Sequence, residues 1–494
     1  MKTELSIQKL KTPTVRTNLL KLSYLFGIAA ITSIFLLQEF SLNKFLGGTL
    51  ISFVLLFVLY RDIMRYKPTY LNNYSMLLLL SLMIIGTLMA GRIFSYFLIS
   101  LLKGLGTADT GIAMYGIPIA TGAMLVALLF DFHTAITFSF TVSLLTGYWL
   151  EESFFPIYTF VGSLTAAFSV IRCKKRSALL RGGLYVILAN ICLVIIFLIS
   201  RGELFTEKAF AAIVVAVFSG ITVSAIVSLI LPLFEYLFKV TTDISLLELL
   251  DLNQPLMKLL MINAPGTYHH SVIVGSLVES AAETVGVNPL LARVSSYYHD
   301  IGKAKMPEYF VENQSGGPSK HDKLTPHMSS MIIINHVKEG VELAKQYKLP
   351  QSIIDIIRQH HGTAVLTYFF QKAKDMGHHI SPGEEEYMYP GPKPQTRVAA
   401  LVMMADAVEA ASKVLNDPTP ARISALVEKI INHIFLEGQL DECELTLKDI
   451  SEIKKRFIYI LTGIMHKRID YPGFDFGNDN SSKEPPKIEK VKFA

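Results

Sequence analysis

The stretch AFAAIVVAVFSGITVSAIVSLILPLFEYLF, residues 209–238, sets the architecture. Nothing in it is charged before Glu235. About 20 mostly apolar residues suffice for a helix to cross the hydrocarbon core of a bilayer. This run is long enough to span and to continue past Pro232 into water. Upstream lie runs of the same kind at 19–38, 45–60, 76–101, 112–130, 134–150, 154–171 and 181–200, giving eight candidate spans. The second is short and extends into its flanks, and only Asp131-Phe132-His133 separates the fourth from the fifth. Downstream the character changes, since residues 239–494 hold 12 of the 13 histidines and read as a water-soluble domain.

Composition agrees with this division. The 494 residues are 51% hydrophobic and 18% charged, with a mean hydropathy of +0.41. An ordinary soluble domain carries about 25% charged residues. A formal charge of +5 is too small to argue for binding DNA or RNA. The three cysteines, Cys173, Cys192 and Cys443, form neither a disulfide framework nor a metal-ligand spacing. Disordered, collagenous and small disulfide-rich classes are excluded.

Lys and Arg in short loops orient the spans. With the N-terminus inside, the inner segments 1–18, 61–75, 131–133 and 172–180 carry eleven: Lys2, Lys9, Lys11, Arg16, Arg61, Arg65, Lys67, Arg172, Lys174, Lys175 and Arg176. The outer loops carry four, Lys44, Lys103, Arg201 and Lys208. Eight spans return the chain to the inside, so the N-terminus and the histidine-rich domain are both expected in the cytoplasm. Residues 1–18 show no small-residue cleavage site, and the first span reads as an uncleaved anchor. Arg92 is the clearest ionisable residue within a span, with snorkelling to the outer surface as its structural reading. Glu235 reads as solvated. Gly86, Gly91, Gly116, Gly122, Gly162 and Gly220 suit close packing of helices.

The expected division is a cytoplasmic segment 1–18, a transmembrane domain 19–238, a connector 239–264, a catalytic domain 265–473 and a disordered tail 474–494. In the connector, Thr241-Thr242-Asp243 resembles a helix N-cap. Beyond it, apolar residues recur at helical spacing over 267–285, 289–302, 326–347, 350–361, 396–415, 420–436 and 447–468. No run alternates with a period of two, so the whole chain is expected to be all-α. Two long loops, 304–325 and 376–395, are rich in Gly, Pro and charge, and loops of that length are usually functional or disordered.

Within this domain stand His270, the pair His299-Asp300, His336, the pair His360-His361 and Asp406. Singly, a histidine on an amphipathic helix is more often a satisfied core or surface residue than a ligand. Here each lies beside apolar residues that turn its helix face inward, such as Val274 and Leu277, Ile332 to Ile334, and Ile353 and Ile357. Buried imidazoles and carboxylates at that density are costly unless something satisfies them, and divalent metal ions do so. Imidazole with carboxylate and no thiolate selects Fe, Mn, Zn or Co. A carboxylate can bridge two such ions, and a metal pair clamps an in-line displacement at phosphorus. The residues point to metal-assisted phosphoester hydrolysis.

The order of these residues resembles the ligand set of HD-domain phosphohydrolases. The flanking text, Ala264-Pro265-Gly266-Thr267-Tyr268-His269-His270-Ser271, Tyr297-Tyr298-His299-Asp300-Ile301-Gly302-Lys303, Glu312-Asn313-Gln314, His336-Val337-Lys338, His360-His361-Gly362-Thr363, Tyr389-Pro390-Gly391-Pro392-Lys393-Pro394-Gln395 and Ala405-Asp406-Ala407-Val408-Glu409-Ala410-Ala411, resembles the bacterial seven-transmembrane HD phosphodiesterases of PgpH type. The resemblance implies a multi-pass enzyme of the bacterial inner membrane that hydrolyses cyclic di-AMP to pApA with an iron or manganese pair. By position it makes His270, His299, Asp300, His336, His360, His361 and Asp406 the metal ligands, with Asp300 bridging. Lys303 is then a phosphate contact, and His321 a candidate for proton transfer to the leaving 3′-oxygen. His269 is adjacent to a ligand; His133, His378, His379, His433 and His466 read as structural or solvated. The family's usual large outer domain between the first two spans is replaced here by residues 39–44. Ser319-Lys320, Met388 and Val398 depart from the family's pattern without removing a ligand.

The rival classes are a receptor that binds nucleotide without cleaving it and a transporter with a regulatory domain. The complete ligand set argues against the first, and the scarcity of acids in the spans against the second. Within the enzyme class, cyclic di-GMP or another nucleotide is the runner-up substrate, and a homo-oligomer is open.

Overall fold

The computed structural model describes residues 15–465 apart from 68–69, 71–73, 106–109, 172, 174, 315–317, 377–382 and 416. The tail 474–494, most of the N-terminal segment, Arg172, Lys174, His378, His379 and His466 lie outside the described residues. Among the described residues the fold is all helical, and the extended backbone amounts to an isolated bridge between Val365 and Met388.

Each of the expected apolar runs forms helix: Val15–Leu36, Leu42–Tyr66, Tyr74–Gly104, a 3-10 turn Thr110–Gly116 leading into Ala120–Leu129, then Phe132–Leu150, Phe155–Ser169, Ser177–Arg201 and Glu207–Phe238. Among the described residues, six of these segments are long and apolar enough to cross a membrane. Phe132–Leu150 is not among the six, and Phe155–Ser169 is shorter. The chain is a multi-pass membrane protein. Its outer face is apolar, with Leu184, Leu188, Phe210, Ile221 and Leu229 exposed, as lipid contact requires.

Side-chain contacts identify the two ends of the bundle. At one end Gln38 Nε2 donates to the Trp149 carbonyl at 3.1 Å and Arg201 pairs with Glu152 at 2.9 Å. Arg92 also reaches this end, where it donates to the Leu37 carbonyl and lies 5.2 Å over the Trp149 ring. That answers the cost of a charge in a span by carrying it to the helix terminus. At the other end Asp62 meets His133 at 3.1 Å, and Tyr70 donates to the Phe130 carbonyl at 3.2 Å. Between the ends, helices Ser177–Arg201 and Glu207–Phe238 touch main chain to main chain. A Cβ on Gly183 would lie 2.8 Å from the Gly220 carbonyl oxygen, and one on Gly220 2.9 Å from that of Gly183.

The second half joins at the end that holds Asp62. Arg176 pairs with Glu248 at 2.6 Å and with Glu235 at 3.7 Å. Glu235, expected to be solvated, is half-buried and accepts a hydrogen bond from Thr242, because the chain folds back directly after the last span. Residues 239–264, expected as a connector, form helices Asp243–Leu249 and Pro255–Asn263. Leu246, Leu256, Met257 and Leu260 are buried with Tyr297, Tyr298, Ile353 and Ile357 in one core. Pro255 occupies the first turn of its helix, where no backbone N–H is needed, so it starts a helix rather than breaking one.

The remaining helices are Pro265–Thr284, Pro289–Tyr298, Pro326–Gln346, Gln351–Gln359, Thr367–Met376, Arg397–Ser412, Pro420–Leu436 and Leu447–Ile464. Thr325, Thr396, Thr419 and Thr446 cap four of them through their hydroxyls. The loop 304–325 is not structureless, since 3-10 turns Pro307–Tyr309, Val311–Asn313 and Lys320–Lys323 follow Ile301–Lys305. Helix Thr367–Met376 is an element that apolar spacing did not single out.

Candidate metal centre

Five helical segments deliver seven side chains to one buried point. His270 comes from Pro265–Thr284, and His299 and Asp300 follow directly on Pro289–Tyr298. His336 lies within Pro326–Gln346, His360 and His361 follow Gln351–Gln359, and Asp406 lies on Arg397–Ser412. His299 and His360 are fully buried, Asp300 is 1% exposed, and His270, His336 and Asp406 are buried too.

The seven fall into two groups that share one member. Asp300, His336, His360 and His361 offer ligand atoms within 4.8 Å of one another, as do His270, His299, Asp300 and Asp406. Asp300 Oδ1 faces His336 Nε2 at 3.3 Å and His360 Nε2 at 3.5 Å. Its Oδ2 faces His299 Nε2 at 3.4 Å and His270 Nε2 at 3.7 Å. Asp406 closes the second group, with Oδ1 3.0 Å from His270 Nε2, and its Oδ2 lies 3.6 Å from His361 Nδ1. One carboxylate therefore turns one oxygen to each group.

The outward ring nitrogens are committed. Nδ1 of His299, His336 and His360 lies 2.7, 2.5 and 2.7 Å from the carbonyls of Ser296, Ile333 and Ile357. A carbonyl only accepts, so Nδ1 carries the proton and Nε2 turns a lone pair inward. This is how a protein fixes the tautomer of a metal-binding imidazole. Inside, Nε2 of His270 and His299 and Oδ1 of Asp300 are shielded from solvent and make no hydrogen bond. Such atoms are costly unless a ligand takes them up. Nitrogen and carboxylate donors, open lone pairs and absence of thiolate together fit a divalent metal site.

Electrostatics favour a cation here. Burial pushes the Asp300 carboxyl up, but the Lys303 ammonium and the surrounding imidazoles outweigh it and hold it well below the usual carboxylate range. Burial pushes His270 down, yet Asp406 and Glu409 raise it to about 9. His361 is driven well below the usual imidazole range, by burial first and His360 second.

Comparison with known proteins bears on this arrangement. The family described as 7TM receptor with intracellular HD hydrolase matches residues 42–242, and the HD domain family matches residues 267–411. The cyclic-di-AMP phosphodiesterase PgpH of Bacillus subtilis is 40% identical over 366 residues, 72% of this chain and 51% of that protein. The Listeria monocytogenes protein of the same name is 38% identical over 382 residues, 76% of this chain and 53% of that protein.

The chain belongs to this seven-transmembrane HD family.

It spans about half the length of the curated relatives it matches. A crystal structure of the Listeria monocytogenes PgpH HD domain is 47% identical, with a TM-score of 0.42, and covers 43% of this chain and 100% of that one.

In this seven-transmembrane HD protein, three residues to which the sequence reading gave no role support the cluster. Glu409, one turn beyond Asp406, sits 2.5 Å from His270 Nδ1 and holds Lys413 at 3.0 Å. Glu312 meets Lys303 at 3.0 Å and accepts from the Thr267 hydroxyl at 3.0 Å. Tyr389 stacks on His361 with ring centroids 4.3 Å apart. The spacing Asp406-x-x-Glu409, two acids on one face of an apolar helix, was the available signal for the first.

Lys303 and His321 are placed differently from the seven. Lys303 is partly buried, with Nζ 2.6 Å from Asp300 Oδ2 and its charge held strongly protonated against burial by Asp300 and Glu312. His321 packs between Tyr309 and Phe369, and its Nε2 lies 2.8 Å from the Tyr309 carbonyl. Gly302 brings the Asp300 segment against the His336 helix. A Cβ there would lie 1.9 Å from the His336 carbonyl oxygen and 2.5 Å from Gly340 N.

Proposed function

We propose that this chain is a phosphodiesterase of the bacterial cell membrane that hydrolyses cyclic di-AMP to pApA. The observation that carries the reading is the single carboxylate, Asp300, shared by two nitrogen-rich ligand groups. The names of the two curated relatives supply the nucleotide. His336, His360, His361 and Asp300 would hold one divalent transition ion, and His270, His299, Asp406 and Asp300 a second, with iron or manganese as the pair. When bound, such a pair supplies hydroxide near neutral pH and neutralises charge on an in-line phosphoryl transfer.

The chain's own groups have distinct tasks. Ser296, Ile333, Ile357 and Glu409 aim the imidazoles. Lys303 keeps Asp300 ionised and tied to Glu312, so its ammonium positions the bridging carboxylate before it meets phosphate. His321, by its contacts with Tyr309 and Phe369, positions the 304–325 loop, and proton transfer to the leaving 3′-oxygen is a lesser role for it.

The excess of Lys and Arg in the inner segments supports a cytoplasmic N-terminus and HD domain, on the side of the membrane where a nucleotide second messenger is found. The test is hydrolysis by the full chain, purified in lipid and loaded with iron or manganese, on cyclic di-AMP and cyclic di-GMP. The expected result is pApA with about two ions per chain. A metal-loaded, folded chain that leaves cyclic di-AMP intact would overturn the reading, and faster cleavage of cyclic di-GMP would reassign the substrate.

A further inference from the structure

A groove of about 550 Å³ lies where the last span meets the HD domain. Its walls come from two places. Pro232, Tyr236 and Lys239 belong to the end of the span, and Lys345, Lys348, Pro350 and Ile354 to the helix-to-helix turn of the HD domain. Lys239, Lys345 and Lys348 are exposed, and no carboxylate among the described residues lies in ion-pair range of them. The carboxylate in the lining, Glu235, is already engaged by Thr242 and Arg176. The groove therefore offers three unneutralised ammonium groups and the Tyr236 side chain beside an apolar floor.

Its position says what such a groove meets. Lys239 directly follows the helix Glu207–Phe238. Leu229, Leu233 and Leu237, four residues apart on one helix face, are 79%, 53% and 58% exposed and lead along the span to the groove. A molecule that satisfies both features has hydrocarbon chains for the leucine face and a phosphate for the lysines. We propose that this groove binds the headgroup of an anionic phospholipid, whose acyl chains lie on the Leu229, Leu233 and Leu237 face. The proposal rests on the membrane reading of the N-terminal half and is independent of the catalytic reading.

The bound lipid would join two parts that otherwise touch through few polar contacts here, among them the Thr241 to Ser352 hydroxyl pair at 3.1 Å. The helices on either side of Lys348, Pro326–Gln346 and Gln351–Gln359, run to His336 and His360. A lipid clasped between span and turn thus sits at the far ends of the helices that carry half of the metal centre.

The test uses the full chain in nanodiscs of phosphatidylcholine with added phosphatidylglycerol, followed by native mass spectrometry of the lipid retained after mild extraction. The expected result is selective retention of phosphatidylglycerol. The variant Lys239→Gln/Lys345→Gln/Lys348→Gln loses the preference by about fivefold for each lysine removed, and the corresponding Arg variant keeps it. Single Gln variants report the same fivefold step should the triple variant fail to fold. An unchanged preference in the Gln variants would overturn the proposal. So would displacement of the retained lipid by millimolar inorganic phosphate, which would make this a free-phosphate site.

Discussion

The two halves of the chain bury polar groups in opposite ways. In the membrane half many hydroxyls turn back on their own helices. Thr49 donates to the Phe45 carbonyl at 2.8 Å, Thr87 to Met83 at 2.6 Å, and Ser139 to Ala135 at 2.6 Å. Each side chain is satisfied four residues away on the same helix and needs no partner. In the HD half the buried imidazoles and carboxylates satisfy their outer atoms and leave the inner ones open. A few membrane hydroxyls, such as Thr32 and Ser52, also lack partners, but a neutral hydroxyl is far cheaper to strand than a carboxylate. The difference separates polarity that serves the helix from polarity that awaits a ligand.

That contrast orders the expected effects of substitution. Asp300→Ala should act most strongly, because it removes the carboxylate common to both groups. Metal content should fall below one ion per chain and turnover by more than about a hundredfold, the upper range for losing an outer partner alone, with the helical circular dichroism retained. Near-normal turnover in folded protein would sink the shared-carboxylate reading. Glu409→Leu comes next. It frees His270 Nδ1 from its partner, and metal affinity should drop by about 10- to 100-fold, partly restored in Glu409→Asp. Titration of apo protein with manganese measures this directly.

The membrane half should respond in a different currency. Gly183→Leu forces side-chain atoms into the Gly220 main chain and should cost about 1–3 kcal/mol, the usual range for overpacking. A lowered thermal midpoint in detergent with unchanged metal content is the expected reading, and metal loss would show that the halves are not separable. The smallest effect belongs to Ser139→Ala, at about 0.6 kcal/mol, typical of hydroxyl bonds inside membrane proteins. If it matched Glu409→Leu in destabilisation, the contrast between the halves would be false.

What the sequence made legible follows from the same physics. Runs such as 209–238 announce themselves because lipid tolerates few charges, and the periodic helices of the second half because one face must be apolar. The seven site residues could be assembled because imidazole and carboxylate beside apolar neighbours are improbable without a reason, and the resemblance supplied their order. The packing of 239–264 was hidden, since a proline reads equally as a helix start and a helix end until its neighbours Met257 and Leu260 are seen buried. Glu235 looked solvated by position along the chain, while the return of Thr242 against it is a matter of three dimensions. Glu312 and Tyr389 act across loops, where spacing carries no geometric information. Lys303 read as a phosphate contact from its place after the His-Asp pair, and only its two carboxylate neighbours show it to be part of the frame.

The contact at Gly302 has a consequence for how this centre is spaced. Its main chain rests directly on that of His336 and Gly340, so the interval between Asp300 and His336 is gauged by backbone against backbone. A methyl group at 302 would meet the His336 carbonyl oxygen at 1.9 Å and would have to widen that interval. The spacing of two candidate ligands therefore rests on a bare glycine that is not one of them.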